Sequence, residues 1–222
     1  MKLGLVYTST TPELIAVVEE EVRKVLGESI VFQSYEDPSI LREAIEAGKV
    51  TTSGAAKLMD LYMAAVKDGA DVVYNLCSSV GEVADEAKSF MASLGIPLVR
   101  VDEWMCEKAV LEGNRIGVMA TLPTTLNPTK NTLKRFAQMH QKEIVLVDGL
   151  LEGAFGLNQE KFKEKMLHKA NELKDRVDIL LFAQGSMAYC NSYIEENTGI
   201  KVFSSPSYGA LAVAEAVKKK EK

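Results

Sequence analysis

The chain has 222 residues, 47% apolar and 26% charged, the makeup of a globular protein with room for one large α/β domain or two smaller ones. Its 26 basic and 31 acidic residues leave a net charge of −5, which argues against nucleic acid or an anionic membrane surface as a partner. No apolar run approaches the roughly 20 residues of a bilayer span, no signal-peptide core is present, and the three cysteines are odd in number and lack metal-site or disulfide spacing, so a reducing cytoplasm is the expected setting.

Apolar runs alternate with helical periodicity from one end to the other, the pattern of a mostly parallel sheet flanked by helices. Leu3 to Tyr7 reads as the first strand. A polar turn, Thr8-Ser9-Thr10-Thr11, leads to a helix opened by Pro12 and closed by Gly27, with Leu14, Ile15, Val18, Val22, Val25 and Leu26 at helical spacing. A short strand is expected at Ile30 to Gln33, then helices around Ile40 to Ala47 and Gly54 to Lys67, the latter preceded by the capping candidates Thr51, Thr52 and Ser53. A helix over Val83 to Leu94 and a strand over Leu98 to Val101 follow.

In the second half, Glu103 to Leu111 reads as a helix, Arg115 to Ala120 as a strand and Thr121 to Thr125 as a polar turn. A helix from about Thr129 to Gln141 precedes a strand at Ile144 to Val147 and a glycine-bearing loop at Leu150 to Asn158. Glu160 to Lys174 is a charged helix with Phe162, Met166, Ala170 and Leu173 on one face. A strand at Val177 to Ala183, a helix at Tyr189 to Asn197, a short strand at Val202-Phe203 and a helix from Tyr208 to Lys218 complete the order, and the final KKKEK reads as a solvated tail.

The stretch from Asp71 to Glu86, DVVYNLCSSVGEVADE, concentrates the chemistry. A buried strand ends at Asn75, and Cys77 precedes a Ser78-Ser79 turn into a helix. Ligands in α/β sheets sit beyond the carboxyl ends of strands. Amides at a helix start favour an anion and lower a thiol pKa, so Cys77 is expected to alkylate before Cys106 and Cys190. The competing use of Cys77 is as a small buried core residue.

An internal repeat accompanies this. DVVYNLCSS from Asp71 and DILLFAQGS from Asp178 each set an apolar strand between an aspartate and a small polar turn, and both precede a helix, a Gly-Ile pair and another short strand. Gly4-Leu5-Val6 before Thr8 is echoed by Gly117-Val118-Met119 before Thr121. The fold expected is α/β, two pseudosymmetric lobes with a site in the cleft between them. The first lobe would take residues 1–102 with 206–222 and the second 103–205.

GLVYTSTTP, GADVVYNLCSSVGEVADEA, IPLVRVDEWM, RIGVMATLPTTLNPT, FAQGSMA and VFSSPSYGALA, in that order, resemble the aspartate/glutamate racemase superfamily over essentially the whole chain. The resemblance implies two α/β lobes, each with a catalytic cysteine at a strand end, one removing the α-proton and the other delivering a proton to the opposite face. Cys77 matches the first. Counting six residues from Asp178, as Cys77 lies six after Asp71, gives Gln184; a longer turn gives Ser186, and neither is a thiol. Glutamine cannot exchange a proton in this role and a serine hydroxyl is too weakly acidic alone.

The expected function is therefore a cofactor-independent, isomerase- or racemase-like enzyme on a small carboxylate, with Cys77 as acid, base or nucleophile; the alternative is a carboxylate-binding protein without turnover. Homodimerisation is the default. Candidate ligand contacts are Ser9, Thr10, Asn75, Ser78, Ser79, Thr121, Thr124, Thr125, Gln184, Gly185 and Ser186. Asn75 could orient a carboxylate or hold a neighbouring loop, and the hydroxyl residues could instead serve as turns and caps. Cys106 falls in a helix and is assigned to packing, and His140 and His168 fall in helical stretches rather than strand-end turns; Asp102 and Glu103 follow a strand and could reach the cleft, with helix N-capping the favoured use.

Overall fold

Parallel pairing of short apolar strands builds two sheets of the same design. The structure, a computed structural model, describes residues 1–220; Glu221 and Lys222, which end the expected first lobe and tail, lie outside the described residues. The first half runs β1 (Lys2–Tyr7), α1 (Pro12–Leu26), β2 (Val31–Glu36), α2 (Pro38–Ala47), α3 (Thr52–Lys67), β3 (Val72–Asn75), a 3₁₀ turn (Ser78–Val80), α4 (Gly81–Ser93) and β4 (Leu98–Arg100). The second runs α5 (Glu103–Glu112), β5 (Arg115–Ala120), α6 (Pro123–Met139), β6 (Val145–Leu150), α7 (Gln159–Leu173), β7 (Ile179–Phe182), a 3₁₀ turn (Gly185–Cys190), α8 (Asn191–Thr198), β8 (Lys201–Ser204) and α9 (Ser205–Lys220).

Both sheets are wholly parallel, ordered β2-β1-β3-β4 and β6-β5-β7-β8. Two units result: Met1–Val101 with Pro206 onward, and Asp102–Ser205. Asp102 goes with the second unit because its carbonyl accepts the Cys106 amide in the first turn of α5 (3.0 Å).

In the first unit, the β1–β3 face carrying Leu3, Leu5, Val72 and Tyr74 packs on Val18 and Val22 of α1 and on Ala210 and Val213 of α9. The opposite face, with Val6, Val73 and Leu98, packs on Leu58 and Tyr62 of α3 and Ala84 and Met91 of α4. The alternation follows from the two-residue period of a strand. In the second unit Met119, Leu180, Phe182 and Val202 pack on Phe162 and Met166 of α7 and Ile194 of α8.

The repeat shows in the pairing at the strand starts. Asp71 accepts the Lys2 amide (2.8 Å) and returns its own amide to the Lys2 carbonyl (2.8 Å); Asp178 does the same with Arg115 (2.9 and 2.7 Å).

Three expectations need correction. The second strand runs on to Glu36 because every residue of β1 from Lys2 to Tyr7 pairs with it, and an edge position tolerates Ser34 and Glu36. The helix expected from Thr129 begins at Pro123, six residues earlier, since proline is favoured in a first helical turn and the strain at Pro128 is absorbed within the helix. There the Thr129 and Thr132 hydroxyls donate back to the Thr125 and Pro128 carbonyls (2.9 and 3.0 Å). Asp102 is fully buried and its side chain makes no capping hydrogen bond. Among the described residues no helix is long and apolar enough to cross a membrane.

Candidate functional site

In the first unit Val6 pairs with Asn75, and the Leu76 amide donates to the Val6 carbonyl (2.9 Å). Two residues further along both chains, Thr8 stands opposite Cys77. Cys77 keeps an extended backbone (φ −132°, ψ 113°) just before the 3₁₀ turn, and the residue is half-buried. The amides of Ser79 and Val80 and the hydroxyls of Thr8 and Ser79 act on the sulfur and favour its thiolate. Thr8 is buried, and its Oγ1 has no hydrogen-bond partner among the described residues.

The expected acidic thiol is corrected here. Burial outweighs those donors and pushes the Cys77 pKa above the ordinary thiol value. Cys106 and Cys190 are fully buried, and burial raises Cys190 to about 11. Cys77 should still alkylate first, through access rather than acidity. With a raised pKa its thiolate fraction is small at neutral pH, so the iodoacetamide rate at Cys77 should keep climbing above the pH at which a free cysteine levels off. Peptide mapping of alkylation against pH checks this; a plateau below pH 8, or faster labelling of Cys190, would contradict it.

Asn75, expected among the ligand contacts, is fully buried with both ends of its amide engaged. Its Oδ1 accepts the Tyr62 hydroxyl (2.9 Å) and its Nδ2 donates to the Cys77 carbonyl (3.0 Å). Burial, and then the charge of the Cys77 sulfur, push the Tyr62 pKa well above its ordinary value, so it stays a donor. This chain fixes the backbone that carries the thiol.

Arg100, the β4 neighbour of Asn75, is also buried; it pairs with Asp85 of α4 (2.5 Å), which also meets Lys88 (2.8 Å). Its guanidinium lies beneath Gly81, where an added Cβ would come within 2.5 Å of Cζ. Ser78 and Ser79 are buried in the turn. Ser9 is exposed, while the Thr10 hydroxyl donates to Glu36 Oε1 (2.9 Å) at the end of β2.

The second unit repeats the register. Met119 pairs with Phe182, so Thr121 stands opposite Gln184 as Thr8 does opposite Cys77. Gln184, rather than Ser186, is thus the counterpart of Cys77. Gln184 Oε1 accepts both the Thr121 amide (2.8 Å) and the Thr121 hydroxyl (2.9 Å). Thr124 and Thr125 lie in the first turn of α6, both buried, and Thr124 Oγ1 has no hydrogen-bond partner among the described residues. Gly185 and Ser186 open the second 3₁₀ turn, with Ser186 exposed. His140 pairs with Glu107 (2.8 Å) and His168 with Glu172 (3.0 Å), away from the strand ends. Among the described residues no group of three or more His, Cys, Asp or Glu is placed to hold a metal.

Thr8, Tyr62 and Arg100 are absent from the candidates read off the sequence. Thr8 was within reach of such reading, because the internal repeat sets Gly4 to Thr8 against Gly117 to Thr121, and Thr121 was a candidate. Tyr62 and Arg100 carry no local signal.

A family profile described as Asp/Glu/Hydantoin racemase matches residues 3–213. No curated protein matches the sequence. Glutamate racemase from Thermus thermophilus superposes with a TM-score of 0.75 at 15% identity, over 99% of this chain and 81% of that one. Picrophilus torridus aspartate racemase gives 0.68 at 14% identity, over 100% and 94%. Allantoin racemase from Klebsiella pneumoniae gives 0.65 at 19% identity, over 99% and 88%. At these identities the likeness is one of fold.

Proposed function

The chain belongs to the Asp/Glu/hydantoin racemase family, whose members are racemase-like enzymes, and on that premise we propose that it is a cofactor-independent isomerase or racemase-like enzyme acting on a small carboxylate, with Cys77 as its acid–base group. One observation carries the reading: a half-buried cysteine at the carboxyl end of β3, opposite Thr8 and beside the amides of Ser79 and Val80. A thiolate there takes the proton α to the carboxylate, becoming a thiol, and the same sulfur returns a proton. The Thr8, Ser79 and Val80 donors favour the thiolate before the first transfer and after the second; between the two the negative charge lies on the deprotonated substrate.

Ser9, Thr10, Ser78 and Ser79 are the proposed ligand contacts of the first unit, and Thr121, Thr124, Thr125, Gln184, Gly185 and Ser186 are those of the second, each unit taken by itself. Asn75 is a positioning residue. A cytoplasmic setting suits three free cysteines, and a homodimer is the commonest symmetric assembly.

The test is solvent-deuterium exchange. Amino acids, hydantoins and unsaturated diacids incubated with the protein in deuterated water should include at least one whose α-proton is exchanged or whose isomer is formed. Loss of none across the panel would sink the proposal. Gln184 at the counterpart of Cys77 favours a second reading, a protein that binds a carboxylate without turning it over. Ligand binding retained in Cys77→Ser, with no exchange in either protein, would select it.

A further inference from the structure

The backbone N–H of Thr121 can only donate, so the Gln184 atom 2.8 Å away has to be the carbonyl oxygen. The Thr121 hydroxyl donates to the same oxygen at 2.9 Å. Two donors on one oxygen fix the amide against a flip. Gln184 Nε2 is then committed to the other side, and it has no hydrogen-bond partner among the described residues. Gln184 is partly exposed, and its amide nitrogen is not among the buried unpartnered atoms, so its two N–H donors are open to a ligand.

We propose that Gln184 Nε2 is an acceptor-reading subsite, which takes a carboxylate oxygen of the substrate through N–H donors aimed by Thr121. The inference rests on the reading above that the Gln184 turn meets the ligand, and it assigns the atom and the chemistry. Hydrogen bonds accepted at Oε1 polarise the amide and strengthen the donors at Nε2. A substrate ammonium or hydroxyl hydrogen finds no acceptor there, because the one acceptor of the side chain is already occupied twice. Proton transfer is outside the reach of an amide, so this position orients and stabilises negative charge.

Malonate is the probe. In ¹⁵N-labelled protein the Gln184 side-chain NH₂ pair, recognised by its disappearance in Gln184→Glu, should shift on titration with malonate. Gln184→Glu is nearly isosteric and still offers Thr121 an acceptor, but it replaces the outward donors by an anion. Malonate affinity should fall roughly 10- to 100-fold in it, the range expected for losing a hydrogen bond to a charged group. Thr121→Val removes one of the two aiming donors and should produce a smaller, few-fold loss.

A Gln184 pair that stays still through the titration, or unchanged malonate affinity in a folded Gln184→Glu, would overturn the subsite. Cys77-dependent exchange surviving that result would show that only the subsite had failed. A shifting Gln184 pair with no exchange on any substrate would instead remove the activity and leave the subsite standing.

Discussion

Replacing Cys77 with serine is expected to lower solvent-deuterium exchange by about 10²- to 10⁴-fold, the contribution of a positioned acid–base group. The substitution exchanges one small group for another at a partly exposed position, so the Ser79 and Val80 amides and the Thr8 hydroxyl keep an acceptor. Stability should change by less than about 1 kcal/mol. The hydroxyl cannot supply an anion at accessible pH, whereas the thiol does so increasingly as pH rises toward its burial-raised pKa. Wild-type exchange should therefore climb with pH above neutrality and Cys77→Ser exchange should stay flat. Equal exchange rates in the two proteins on the same substrate would remove Cys77 from the chemistry.

Gly81→Ala should be strongly destabilising for the addition of a single methyl group. The added carbon would overlap a guanidinium that is buried and held by Asp85. Either the start of α4 moves, taking the Ser78–Val80 turn with it, or Arg100 leaves its partner. Overpacking costs about 1–3 kcal/mol, and separating a buried ion pair about 3–5 kcal/mol. At about 2–4 °C per kcal/mol for a chain of this size, a Tm lowered by roughly 2–12 °C is expected if the helix start moves, and by roughly 6–20 °C if the ion pair separates.

An Arg100→Met background supplies the check on cause. Met leaves room above it, so Gly81→Ala should cost much less there than in the native chain, and a double-mutant cycle measures the difference. Equal costs in the two backgrounds would mean that the guanidinium is not what excludes a side chain at position 81.

The site divides in the same way between local and non-local information. Cys77 and Gln184 were legible because an apolar run ending in a small polar turn marks a strand's carboxyl end, and the aspartates six residues earlier set the count. Asn75 was legible as a residue but not in its role. On an ideal strand it shares a side with Cys77, yet Tyr62, from a helix 13 residues earlier, claims its oxygen. Thr124 and Thr125 were read as turn residues; Pro123 starts a helix that contains them, and hydroxyl bonds back to the chain accommodate the proline within it.

What the sequence by itself determined is the order and type of the elements, the two-fold repetition of the β-α pattern and the position of one thiol at a strand end. Each depends on hydrophobic period and turn chemistry over a few neighbouring residues. The tertiary structure alone decided the partners: Thr8 opposite Cys77, Thr121 clamping Gln184, and Arg100 beneath Gly81. It also decided the sign of the thiol's pKa shift. Register and burial come from pairing segments some 60 or more residues apart, and the surrounding protein displaces water from the sulfur by more than the nearby amides and hydroxyls repay.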